Sequence, residues 1–489
     1  MWLILYLLAV PALALQAADV LAQPGARELV VPLGLVAAWR FGSGAVQLGR
    51  ALYYRGVLFP RWRRAADQLG DAGAASQVYI LIATYRIRAE TTARVYQAAI
   101  AEAVRYGRPA TVVAAIVELG DQRLIKRVFQ QMRPPAEIRL AFVRRPATGR
   151  RHQVARSLRA ISRMRPPADA AVVLMDGATL LTPGSLARSL PFLRLMPDVD
   201  AIATDEACIV ANPIMQAWHS LCLAQRHQMM SSMAPSRRPL AVGGRMSIHR
   251  AEVATDPGFI DLLENDRLDH GRARFALLAG EDNAVWCGLP RQGRRMLYLP
   301  DVSVGTIEPG PAKGLLPTTA GLMLDRFGSA LPGSPRAIAL GPRRIGVFAW
   351  WCLIDRRLSM WVPLLGAVVA LLFALGKSVL FLYAYLLWVA ATRLIQALLL
   401  LTARPTISGL YPLLIYFGQV HGALVKACAL LRVDRQRRTR HDIALEARLA
   451  PWQARRQNLA SAYLHVLAIG TLVAAAALGT RLLDLPPLL

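Results

Sequence analysis

The chain has 489 residues, 55% of them hydrophobic and 18% charged, with a mean hydropathy of +0.35. That balance excludes a disordered chain and is too apolar for an ordinary soluble domain, so part of the surface must face something other than water. The net charge of +27, from 58 Lys and Arg against 31 Asp and Glu, fits anionic lipid, phosphate-bearing substrates or an acidic polymer. Five scattered cysteines (208, 222, 287, 352, 428) form no CxxC pair, so neither a zinc site nor a disulfide framework is implied.

In chain order, residues 1–22 carry no charge before Asp19 and lack the basic head and small-residue exit of a cleaved signal peptide. They read as a retained membrane helix. A second apolar stretch, residues 29–48, is interrupted by Arg40 and rimmed by Arg50 and Arg55, whose guanidinium groups can snorkel toward headgroups. From residue 60 to 342 the pattern changes to short apolar runs alternating with amphipathic stretches, the punctuation of an α/β domain. Strands are predicted at 78–83, 111–117, 139–143, 171–175 and 201–204, and helices at 91–105, 122–132, 153–163 and 183–195. A mostly parallel, Rossmann-like sheet with helices on both faces follows.

Four further apolar segments come after it, at 360–375, 379–401, 409–431 and 460–478, each near the roughly 20 residues that a bilayer crossing needs. The loop 432–456 holds eight Arg against three acids and should stay in the cytoplasm. With the α/β domain also cytoplasmic, one of the four cannot cross. Segment 409–431, with Pro412, His421 and Lys426, is assigned to the membrane interface, as is 345–353 with its flanking arginines. The expected organisation is two membrane helices in 1–59, a cytoplasmic domain in 60–342, and interfacial helices with about three spans in 343–489.

In an open parallel sheet the ligand lies beyond the carboxyl ends of the strands. The predicted strands exit into Thr84-Tyr85-Arg86, into Glu118 and Asp121, into Arg144-Arg145 followed by Arg150-Arg151, into Asp176-Gly177-Ala178-Thr179, and into Asp205-Glu206. Acids and arginines thus share one rim. Such a rim suits a nucleoside diphosphate, with carboxylates for base, ribose and a divalent cation and guanidinium forks for phosphate. Taken singly, each of these residues also fits a helix cap or a solvated surface position. No Walker or GxGxxG pattern is present, so a glycine loop does not hold the phosphates. His227 reads as a packed histidine or an acceptor contact, and Trp350, Trp351, Trp361 and Trp388 as interfacial anchors ahead of aromatic faces for a sugar channel. Arg393, deep in an apolar segment, needs protein, water or a passing anion beside it.

The run Val172-Val173-Leu174-Met175-Asp176-Gly177, with Gly280-Glu281-Asp282 downstream, resembles the membrane-integrated processive glycosyltransferases of family 2. More specific likenesses are Gln225-Arg226-His227, Gly244-Arg245-Met246-Ser247, Thr255-Asp256-Pro257, Phe259-Ile260, Tyr298 with Asp301, and Asp355-Arg356-Arg357 before Ser359-Met360-Trp361. These resemble the mannuronan synthase branch, the polymerising subunits of bacterial alginate production.

The resemblance implies a GT-A-like fold and transfer of mannuronate from GDP-mannuronate to a growing polymannuronate chain that leaves through the helices. It makes Asp282 the base, Glu118, Asp121, Arg150 and Asp176 the nucleotide-sugar contacts, and Glu281, Arg326 and Phe327 the acceptor and pyrophosphate contacts. Arg393 would line the channel, and Asp176 would hold Mg2+ or Mn2+. It further implies a bacterial inner-membrane location, a lipid bilayer around the helices, a cyclic di-GMP-sensing membrane subunit and a secretion complex. Nucleic acid is not expected, because no recognition motif interleaves aromatics with the cations. Ala178 stands where the family has the second acid of its DxD motif, and Phe327 where it has Trp. A catalytically weakened scaffold subunit and a synthase of another polysaccharide are the alternatives these departures leave open.

Overall fold

The computed structural model describes residues 26–85, 87–144, 150–239, 245–265, 267–270, 273–276, 294–308, 314–327, 330–376 and 378–431. The chain divides into two compact units. One comprises the described residues of Leu48–Ala312 and Gly333–Trp351, the other those of Met1–Gln47, Lys313–Pro332 and Cys352–Leu489.

The first unit is built on strands β1 (Val78–Ala83), β2 (Ala110–Ile116), β3 (Ile138–Arg144), β4 (Ala171–Asp176), β5 (Thr179–Leu180), β6 (Val199–Ile209), β7 (Met246–Arg250), a small hairpin of β8 (Arg267–His270) and β9 (Ala273–Ala276), and β10 (Arg295–Ile307). Eight of them form one sheet in the order β3-β2-β1-β4-β7-β6-β10-β5. Strands β1 to β4 pair in parallel, as does β6 with β10, whereas β7 runs antiparallel between β4 and β6. This mixed sheet is of the GT-A type.

The parallel strands read clearly in sequence because they are covered on both faces: all six residues of β1 and all seven of β2 are buried. Helix Ala89–Tyr106 stops at Gly107, which adopts φ +68°. The single helix expected over 183–195 is instead two short ones, Ser185–Ser189 and Pro191–Leu195. Pro191 has no N–H to continue the first. The start of Ser185–Ser189 is held by Glu102, 3% exposed, which accepts from the N–H groups of Gly184 at 2.7 Å and Leu186 at 2.9 Å. Two of the motifs quoted above have structural roles. Asp256 accepts from Phe259 N–H at 2.8 Å and caps helix Pro257–Asn265, and Asp301 binds Arg63 at 2.8 Å and Arg188 at 2.7 Å.

Arg50 does not snorkel. Its guanidinium donates to Ser232 O at 2.9 Å and Ser236 Oγ at 2.7 Å and lies 4.0 Å from the centre of the Phe348 ring. In the second unit, Arg40 pairs with both carboxylate oxygens of Asp355 at 3.1 Å.

Among the described residues, three segments are long and apolar enough to cross a membrane: Val347–Gly376, Leu380–Thr402 and Tyr411–Leu430. The third is the one assigned above to the interface. Its Pro412 falls in the first turn of helix Tyr411–Leu431, where a missing N–H costs nothing, so the helix is uninterrupted. The first includes the other segment assigned there, as helix Val347–Leu358 followed by Val362–Gly376. Segments 1–22 and 460–478 and the loop 432–456 lie outside the described residues.

Candidate functional site

Asp176 is the last residue of β4, and the chain turns sharply after it. The Gly177 N–H donates to Ala83 O at 3.0 Å, and a Cβ at position 177 would lie 2.7 Å from that oxygen and 2.8 Å from Ile87 Cδ1. Only glycine lets the turn approach the end of β1 this closely. Ala178, 5% exposed, then accepts the Ile307 N–H at 3.0 Å through its carbonyl. That bond brings Glu308, the residue after β10, beside the position where the family's second acid would stand.

Arg245 joins these strand ends. Its Nη1 donates to Asp176 Oδ2 at 2.5 Å, its Nη2 to Glu308, and its backbone N–H to Glu206 Oε1 at 3.1 Å. Its backbone carbonyl in turn accepts from Asp176 N–H at 3.0 Å. Burial alone would weaken its basicity, but Glu308, Asp176 and Glu206 outweigh that and hold the guanidinium charged. Burial, reinforced by Glu308, pushes the Cys208 thiol up to about 12.

Asp205 and Glu206 do not terminate their strand as the sequence reading has it, because β6 continues to Ile209. Both are tied to helix Pro213–Met233: Arg226 pairs with Glu206 at 3.2 Å, and His227 with Asp205 at 3.2 Å. The Tyr298 hydroxyl donates to Asp205 at 3.0 Å and lies 2.9 Å from His227 Nδ1. His227 is therefore a packed histidine in a buried polar group.

Glu118 occupies the N-cap position of helix Leu119–Met132 after β2, and Asp121 lies in its first turn. Burial and then the neighbouring Glu118 raise the Asp121 carboxyl. Just past β1, Thr84 Oγ1 meets the Tyr96 hydroxyl at 3.1 Å. Arg150 opens helix Arg150–Arg163, with its side chain outside the described set, and Glu281 and Asp282 also lie outside the described residues.

The remaining expected residues belong to the other unit. Arg326 is in helix Leu315–Phe327, its side chain likewise outside the described set. The Phe327 ring has Lys426 Nζ 4.6 Å and Arg356 Cζ 5.3 Å from its centre. Arg393 is in helix Leu380–Leu399, which shares polar contacts with helix Tyr411–Leu431: Tyr385 with Tyr416 and Gln419 with Gln396, each at 3.3 Å.

The structure thus joins Asp176 to Glu206 through Arg245 and adds Glu308 and Arg226, none of the last three singled out from sequence. Arg245 lay within a quoted motif, but nothing in that motif names its partners. Among the described residues no three His, Cys, Asp or Glu side chains are grouped to hold a metal ion.

Residues 75–316 match the family described as glycosyltransferase like family 2. The chain is 40% identical over 429 residues to glycosyltransferase alg8 of Pseudomonas syringae pv. tomato, covering 87% of each chain. The chain belongs to the family 2 glycosyltransferases. A second relative, glycosyltransferase alg8 of Azotobacter vinelandii, is 38% identical over 444 residues, 90% of this chain and 89% of that protein. A solved structure, the mannosyltransferase PcManGT from Pyrobaculum calidifontis in complex with GDP-Man and Mn2+, aligns with a TM-score of 0.43 at 15% identity. The alignment covers 80% of this chain and 99% of that one. In this glycosyltransferase Asp176 ends β4, Glu308 follows β10, and Arg245, just before β7, binds both.

Proposed function

We propose that this glycosyltransferase polymerises mannuronate from GDP-mannuronate for alginate and exports the chain through its membrane helices. The reading places it in the bacterial inner membrane with residues 60–342 cytoplasmic, alongside a cyclic di-GMP-sensing subunit and a secretion complex. The observation that carries it is the Asp176, Arg245, Glu206 and Glu308 rim at the strand ends, in a chain 40% identical to an alg8 glycosyltransferase.

In this reading the donor lies along the strand ends, with Glu118 and Asp121 toward the base and ribose and Arg150 toward the diphosphate, and Arg326 is an acceptor and pyrophosphate contact by resemblance alone. Asp282 takes the proton from the acceptor hydroxyl as its oxygen attacks the anomeric carbon. The bond from that carbon to the diphosphate breaks, and GDP leaves with the electron pair. Positive charge beside the diphosphate stabilises that departure. Glu281 and Phe327 hold the acceptor end, and Arg393 faces the uronate chain in the channel.

The resemblance calls for Mg2+ or Mn2+ at Asp176. The donor set does not fit it: Ala178 offers no side-chain oxygen, and the Asp176 carboxylate is bound by Arg245 at 2.5 Å.

Membranes containing the chain, incubated with GDP-mannuronate, should release GDP and accumulate uronate polymer. Release of UDP from another sugar nucleotide, with GDP-mannuronate untouched, would reassign the donor. Ala178 favours a second reading, a scaffold subunit of an exopolysaccharide complex, and absence of turnover with every donor would support it.

A further inference from the structure

We propose that Arg245, clamped by Asp176 and Glu308, supplies the positive charge that meets the donor diphosphate, so that nucleotide binding by this chain does not require a divalent cation. The inference rests on the reading of the strand-end rim as a donor site.

Four observations support it. The family pattern uses two acids two positions apart to hold a divalent ion, and the second acid is Ala178, 5% exposed. The remaining acid is already committed, since Asp176 Oδ2 accepts from Arg245 Nη1 at 2.5 Å. A divalent ion at Asp176 would have to displace that guanidinium or share a single carboxylate with it, and like charges at contact distance repel.

The third observation is exposure. The Arg245 side chain is 27% exposed, whereas Asp176 is 14% and Glu308 4% exposed. The Arg245 side chain is thus the most exposed member of the trio. Two of the five N–H groups of Arg245 are used on Asp176 and Glu308, and a guanidinium fork is well matched to phosphate oxygens.

The fourth is rigidity. The backbone of Arg245 is fixed at both ends, by Glu206 at 3.1 Å and by Asp176 N–H at 3.0 Å. Glu206 is itself held by Arg226, 7% exposed, at 3.2 Å. The cation is thus pre-positioned, as a diphosphate site requires.

The test measures GDP binding to the full chain in detergent micelles, once with EDTA and once with MnCl2, with UDP as a second probe. Dissociation constants within about twofold of each other in the two conditions are expected, and Arg245→Gln should weaken binding about tenfold or more. Binding lost in EDTA and restored by Mn2+ would overturn the role of Arg245 while leaving the donor reading intact, as would unaltered binding by Arg245→Gln. Binding of neither nucleotide in either condition would overturn the donor reading and this inference with it. Should Arg245→Gln fail to fold, the chelator comparison on the unaltered chain still decides. Electron paramagnetic resonance of added Mn2+ gives a second readout, with no nucleotide-dependent, stoichiometric Mn2+ binding expected.

Discussion

Tyr298 donates its hydroxyl hydrogen to Asp205 at 3.0 Å while lying 2.9 Å from His227 Nδ1, in a pocket where the three side chains are 0%, 2% and 5% exposed. This contact joins β10, β6 and helix Pro213–Met233. Tyr298→Phe removes the hydroxyl and leaves a buried carboxylate short of one donor. The expected loss is about 1–3 kcal/mol of stability, read as a lowered Tm of the full chain in micelles. An unchanged Tm would mean that the His227–Asp205 contact at 3.2 Å suffices by itself.

Gly177→Ala tests the turn that carries Asp176. The added Cβ would sit 2.7 Å from Ala83 O, a backbone atom that cannot swing aside. Overpacking of this kind costs about 1–3 kcal/mol. Because Asp176 and Ala178 flank the turn, GDP release should fall about tenfold or more even where the chain still folds, as expected when reacting groups are displaced by a fraction of an ångström. Normal GDP release with normal Tm would show that the turn has slack.

His249 should make stability depend on pH. It is fully buried and neutral in β7, and burial depresses its pKa from 6.5 to about 4. Between those values the unfolded chain binds more protons than the folded one, so stability rises with pH across the window and falls as pH drops through it. The slope is at most about 1.4 kcal/mol per pH unit for one histidine. Denaturant midpoints at pH 4.5 to 7 should show it as part of the overall pH dependence, and His249→Gln should flatten it by that amount. A variant with the same slope as the unaltered chain would refute the assignment.

Asp282→Asn tests the proposed base. General-base removal costs about 10²–10⁴-fold in rate. GDP release should fall within that range while GDP affinity stays within about twofold, because the base acts on the acceptor hydroxyl rather than on the nucleotide. A large loss of GDP affinity would move Asp282 from base to nucleotide contact.

Much of the architecture was legible in the sequence because its signals are local. The uninterrupted apolar run of β1, Val78–Ala83, is what a strand buried on both faces must look like, and the structure places it at the same residues. Strands β2, β3 and β4 are displaced by only a residue or so from the expected ranges. Asp176 was visible as the first acid after such a strand, and Ala178 as the gap beside it. The apolar segments at 360–375 and 379–401 were legible by length and composition alone.

The partners of Asp176 were not legible, because non-local pairing selects them. Arg245 reaches it only because β7 inserts antiparallel between β4 and β6, in a register that sets Met175 opposite Met246. Glu308 comes to the same strand end only because β10 pairs antiparallel with the two-residue β5, with the Ile307 N–H bonded to Ala178 O. Residue order by itself determined that this chain builds a mostly parallel sheet with acids at its rim and carries apolar segments of membrane-crossing length. The tertiary structure decided which cation stands against Asp176, since that depends on strand register between segments about 70 to 130 residues apart, where local hydrophobic periodicity carries no information.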